Sequence, residues 1–193
     1  MRWIVVDGID GSGKSTVAAW ISSHYESSGE RVHVRVHPSA ALSGRIARKG
    51  LLGRGPVMRT VATLFFILDV LISVSWLRRN SRSWDTVIFV RYLMATAYLP
   101  ENLMRTGYGF FAKLLPVPRR LLLVDVEASS ALERIRARGG SEEMFEDLTS
   151  LEKARRKVRA LAGPEWAVLE NEGDPEAVRG RALAILSDWD ASR

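Results

Sequence analysis

Gly8-Ile9-Asp10-Gly11-Ser12-Gly13-Lys14-Ser15 fits the pattern G-x-x-x-x-G-K-[ST] at every position. The apolar run Trp3-Ile4-Val5-Val6 stands before it and a helix-compatible stretch, Ser15 to His24, follows it, which is the strand, loop and helix the pattern requires. Glycines at these positions let successive backbone N–H groups turn inward around a phosphate, because side chains would block the approach. In such a loop Lys14 reaches the terminal phosphates as a point charge, and Ser15 puts its hydroxyl on Mg²⁺. The helix that opens there contributes orphan N–H groups and the positive end of its dipole.

Working outward, 193 residues with 47% hydrophobic content can form one domain with a sizeable core, so a single domain over residues 1–193 is expected. The chain has no cysteine, which excludes a disulfide framework and a cysteine-ligated metal. Met1-Arg2 runs straight into the first strand without a signal peptide, so a cytoplasmic location is expected. The net charge of +6 includes the cluster Lys153 to Arg159, which reads as the solvated face of an amphipathic helix rather than a surface for nucleic acid or membrane.

After the loop, Arg31-Val-His-Val-Arg-Val36 alternates as a second strand, and Ala40 to Lys49 reads as a short helix. His33 and His37 lack converging partners and are expected not to bind metal. Gly50 to Pro56 is a flexible connection. Val61 to Leu77 is the most apolar segment, but it is at the short limit for a membrane span and carries Asp69 at its centre. A helix buried on most sides, in the core or at a subunit interface, is expected, with a partner for Asp69.

Asp85-Thr-Val-Ile-Phe-Val90 and Leu121-Leu-Leu-Val-Asp-Val126 are apolar runs typical of buried parallel strands. The first delivers Arg91 at its carboxyl end, where open α/β sheets bind ligands, so Arg91 is placed to hold a phosphate. A helix from about Leu93 gives way to an irregular Gly107-Tyr-Gly109 and Pro116-Val-Pro118 region. Ser129 or Ser130 caps a helix running toward Gly139, whose end carries Arg134, Arg136 and Arg138. Arg134 and Arg138 share a face, and a mobile loop from near Arg136 could turn all three inward. Helices over Leu148–Leu161 and Pro175–Leu186 flank a last strand, Trp166–Leu169. The alternation predicts a three-layer α/β fold with a mainly parallel sheet of about five strands flanked by helices.

Val6-Asp-Gly-Ile-Asp-Gly-Ser-Gly-Lys-Ser-Thr16, Val87-Ile-Phe-Val-Arg-Tyr92 and Leu123-Val-Asp-Val-Glu-Ala128 with Ala131-Leu-Glu-Arg-Ile-Arg-Ala-Arg-Gly139 together resemble the thymidylate kinases, within the P-loop nucleoside-monophosphate kinases. The resemblance implies ATP as donor with Mg²⁺ on Ser15, and phosphorylation of a nucleoside monophosphate, most readily thymidine monophosphate. It implies a donor site of Gly8, Asp10, Gly11, Ser12, Gly13, Lys14, Ser15, Thr16 and Arg134, and catalytic roles for Lys14, Arg91, Arg136 and Arg138. Asp10 would also meet the acceptor sugar, Phe65 or Phe66 would stack on its base, and Arg91 would hold its phosphate. A lid over residues 134–146 and a homodimer built on part of residues 61–77 are implied as well.

Three positions depart from the family pattern. Val90 replaces an acid before Arg91, Val70 or Asp69 stands where an arginine is expected after the stacking aromatic, and Ser39-Ala40 lacks the arginine expected after the second strand. A carboxylate for magnesium and the acceptor then has to come from Asp7, Asp10 or Asp125. The rival readings are a kinase for another small acceptor and a nucleotide-binding switch. No Asn-Lys-x-Asp run occurs, which argues against a GTPase switch.

Overall fold

The computed structural model describes residues 1–40, 42–46, 56–98, 101–138 and 147–192; the expected connection at 50–55 and the lid residues 139–146 lie outside these. Strands β1 (Arg2–Asp7), β2 (Val32–Val36), β3 (Thr86–Val90), β4 (Arg120–Asp125) and β5 (Trp166–Glu170) form one sheet in the order β2-β3-β1-β4-β5. Every pairing is parallel, with Val6 opposite Val90 on one side of β1 and Leu122 on the other. Because successive strand residues face opposite ways, the three central strands feed two cores at once. Val5, Val87, Phe89, Leu121 and Leu123 face one, and Ile4, Val6, Ile88, Val90, Leu122 and Val124 face the other.

The second core is closed by α1 (Lys14–Ser27) and α6 (Pro175–Ala191), through residues such as Val17, Ile21, Val178 and Leu186. The first is closed by α2 (Pro56–Asn80), a 3₁₀ turn (Met94–Tyr98), α3 (Glu101–Leu114), α4 (Ala128–Ala137) and α5 (Leu148–Leu161). The three-layer α/β expectation holds. The expected irregularity at Gly107–Gly109 does not, since both glycines lie within α3. A glycine costs ~1 kcal/mol in a helix, which is offset here as Met104, Tyr108 and Phe111 pack on the core at helical spacing.

Helix α2 is apolar on two faces. Phe66, Val70, Val74 and Leu77 turn toward the sheet, whereas Leu64, Leu68, Leu71 and Ile72 are exposed, Leu64 to 60%. Among the described residues no helix is long and apolar enough to cross a membrane. Asp69 finds its partners in the segment after β2: it accepts from the Ser39 N–H at 2.7 Å, the Ser39 hydroxyl at 2.6 Å and the Ser43 hydroxyl at 2.8 Å. One turn on, the Ser73 hydroxyl donates to the Asp69 carbonyl (2.8 Å) and accepts from Arg35 Nε (2.6 Å). His37 Nε2 lies 2.7 Å from the same hydroxyl.

His37 is fully buried, and burial is the main cause that pushes its imidazole down to about 4. An unfolded chain takes up this proton near pH 6.5, while the fold refuses it until about pH 4. Between those values the unfolded state binds more protons, so stability falls as pH falls. His37 alone should remove about 1 kcal/mol of unfolding free energy between pH 6.5 and 5.5. Urea unfolding at the two values checks this; His37→Gln should show a loss smaller by that amount, and equal losses in parent and variant would refute it.

Candidate active site

Order reversal in the sheet leaves β1 between β3 and β4, so the chain leaving β1 enters the crevice at the strands' carboxyl ends. Residues 8–13 turn there. Gly11 (φ 76°) and Gly13 (φ 87°) both adopt the left-handed region that side chains disfavour. Space imposes the same choice, because a Cβ on Gly11 would strike the Ala131 carbonyl of α4 and one on Gly13 the Asn171 side chain. The Ser12 hydroxyl is buried with no partner among the described residues.

Lys14 opens α1 and is only 5% exposed. Its ammonium donates to the Ile9 carbonyl and lies 3.9 Å from Asp10. Burial first, then the nearby Arg91 and Arg138 charges, pull it down to about 8, against Asp10 and Asp7. Asp10 also accepts from Arg91, which projects from the end of β3. Arg91 holds φ 62°, the one non-glycine residue with positive φ among those described. That backbone costs on the order of 1 kcal/mol and turns the chain sharply just where β3 delivers its guanidinium.

The carboxylates left open by the sequence take different tasks. Asp7, 1% exposed, accepts the N–H groups of Tyr92, Leu93 and Met94, so it braces the turn after Arg91 from below. Burial raises its pKa, against these donors and Lys14. Asp125 is held by Arg155 at 2.9 Å and Arg159 at 2.9 Å. Arg159 stays on the expected solvated face as it reaches Asp125, whereas Arg155 is largely covered against the end of β4. Asp10 stands nearest to both Lys14 and Arg91.

Of the arginines on α4, Arg134 lies beside the loop, its Nη1 3.8 Å from a Cβ position on Gly13 and its Nη2 donating to the Asn171 carbonyl at 2.9 Å. Arg138 is near enough to act on Lys14. Arg136 is exposed, on the side that helical spacing gives it. Ser15 and Thr16 are exposed on the first turn of α1, and Phe65 and Phe66 are half-buried, with the Phe66 ring edge-on to His37 at 6.3 Å. At the departing positions, Val70 and Val90 are core residues, while Ser39 and Asp69 bind one another. Asn171 is the residue that sequence reasoning missed. It follows β5 at the same carboxyl edge, and the rule that singled out Arg91 would have found it.

Residues 6–181 match the family model described as thymidylate kinase. A probable thymidylate kinase of Pyrobaculum aerophilum is 32% identical over 193 residues, covering 96% of each chain. A thymidylate kinase of Xanthomonas euvesicatoria pv. vesicatoria is 30% identical, covering 95% of this chain and 82% of that one. Among solved structures, the thymidylate kinase from Candida albicans superposes with a TM-score of 0.80 over 98% of this chain and 92% of that one, at 16% identity, a likeness of fold.

Lys14→Ala should lower ATP-dependent turnover by about 10²–10³-fold, the usual effect of removing one preorganised charge-stabilising donor. Turnover within a factor of two of the parent, with the variant folded by circular dichroism, would contradict the role.

Proposed function

Because this chain belongs to the thymidylate kinase family, we propose that it moves the terminal phosphoryl group of ATP to thymidine monophosphate, giving ADP and thymidine diphosphate. The observation that carries this reading is the convergence of a complete phosphate loop with Arg91 and Asp10 at one sheet edge. Phosphoryl transfer needs positioning and charge neutralisation more than covalent chemistry. Lys14 and the amides of residues 11–15 hold the donor phosphates. Arg91, freed from Asp10 as the acceptor arrives, meets the acceptor phosphate, whose oxygen attacks the terminal phosphorus in line. Asp10 takes the acceptor sugar, and Phe65 or Phe66 the base.

Among the described residues no cluster of three or more His, Asp or Glu could cage a metal. That suits Mg²⁺, which binds through substrate phosphates, water and one or two protein groups. The exposed Ser15 hydroxyl would hold it, and the ion would add neutralising charge to the phosphates. In this reading Arg134, Arg136 and Arg138 begin a lid that continues through residue 146 and excludes water from the phosphoryl group. The cytoplasm, where the nucleotides are, is its proposed location.

Val70 or Asp69, and Ser39-Ala40, stand where the family pattern carries arginines, and Asp69 is hydrogen-bonded to Ser39, so the acceptor loses charged hydrogen bonds there. Each is worth ~1.5–3 kcal/mol, or about one to two decades in specificity. A coupled ADP-release assay across ribo- and deoxyribonucleoside monophosphates should give the highest kcat/KM for thymidine monophosphate, with narrow discrimination. A higher value for another monophosphate would reassign the acceptor, and release with none of them would overturn the kinase reading.

The exposed stripe Leu64, Leu68, Leu71 and Ile72 supports a homodimer through α2, since about two and a half turns of bare apolar surface are costly to leave in water. Light scattering at micromolar concentration should give twice the mass of one chain, and Leu68→Glu should halve it. A monomeric parent would refute the dimer.

A further inference from the structure

The loop after β5 is tied down on every side. Asn171 N–H donates to the Asp125 carbonyl at 2.8 Å. The Glu172 carboxylate accepts from the Glu127 N–H at 2.7 Å and the Ser130 hydroxyl at 3.4 Å, at the start of α4. Arg181 of α6 donates to the Glu170 and Glu172 carbonyls at 3.0 and 3.1 Å. From this fixed platform Asn171 Nδ2 donates to the Ser12 carbonyl at 2.7 Å. Arg134 in turn donates to the Asn171 carbonyl.

A trans peptide is planar, with its carbonyl and its N–H pointing in opposite directions. A donor that captures the Ser12 carbonyl from outside the loop therefore aims the Gly13 N–H to the opposite side, into the concavity of the loop. Gly13 is the position where this orientation is least secure without help. Its left-handed φ of 87° gives way to helix at the next residue, and a glycine can rotate out of it at little cost. The clash of a Cβ on Gly13 with Asn171 Nδ2 records how closely the amide is seated.

We propose that Asn171 is a positioning residue for the donor phosphates: it presets the Ser12–Gly13 peptide so that the Gly13 N–H faces them before they arrive. The proposal rests on the phosphate-binding reading of the loop. Asn171 acts through the peptide rather than by touching the donor, so its loss costs polyphosphate affinity whatever nucleoside is attached.

The test is binding of ATP, inorganic tripolyphosphate and thymidine monophosphate to the full chain by calorimetry, for the parent, Asn171→Ala and the near-isosteric Asn171→Asp, with unfolding midpoints alongside. One lost preorganised hydrogen bond to a charged group predicts about a 10- to 100-fold rise in Kd. The rise should be equal for ATP and tripolyphosphate in Asn171→Ala and at least as large in Asn171→Asp. Thymidine monophosphate affinity should stay within twofold, and the midpoints within a few degrees. Unchanged ATP affinity would overturn the proposal. So would a loss confined to ATP, which would mean direct contact with the nucleoside, or a parallel loss for the acceptor, which would mean general damage. If the parent binds neither ATP nor tripolyphosphate, the kinase reading fails and this one with it.

Discussion

A buried ammonium is the constraint on which the site turns. Lys14 is held out of water at the end of β1 with one carboxylate, Asp10, within reach and two arginines, Arg91 and Arg138, close enough to depress it. Burial and the two arginines make this ammonium favour added negative charge, because desolvating a cation is costly. In the proposed function a polyphosphate supplies that charge. The positive φ values at Gly11 and Gly13, the Ser12 hydroxyl that finds no partner among the described residues and the strained Arg91 backbone all lie within this small region. Strain and unmet polarity gather where a ligand completes the balance.

The rest of the molecule makes that arrangement rigid. Five parallel strands place every carboxyl end on one edge, so residues distant in sequence meet there: Asp10 with Arg91, Asp7 with the amides after Arg91, and Asn171 with the phosphate loop. Arg155 and Arg159 fasten α5 to Asp125 at the same edge. The proposed acceptor side follows a different logic. There Asp69 pins the segment after β2, and Arg35, Ser73 and His37 form a second polar cluster under α2. The buried Asp69 carboxylate thus finds two of its donors in Ser39, within the stretches where the chain departs from the family pattern.

What the sequence determined by itself was what depends on local spacing. Period-two and continuous apolar runs gave the five strands, and helical periodicity gave Leu148–Leu161 to the residue. The unbroken loop pattern identified Gly8 to Ser15, and the end of an apolar strand placed Arg91. These are legible because backbone geometry relates neighbours in the chain by fixed rules. The tertiary structure alone decided which face each strand gives to which core, that α3 runs through Gly107 and Gly109, and that Arg155 and Arg159 serve Asp125. It also divided the work among Asp7, Asp10 and Asp125, matched Asp69 with Ser39, and brought Asn171 against Ser12. Each of these depends on contacts between segments separated by tens of residues, selected by how the strands are ordered and how the helices pack on them. No local periodicity encodes that choice.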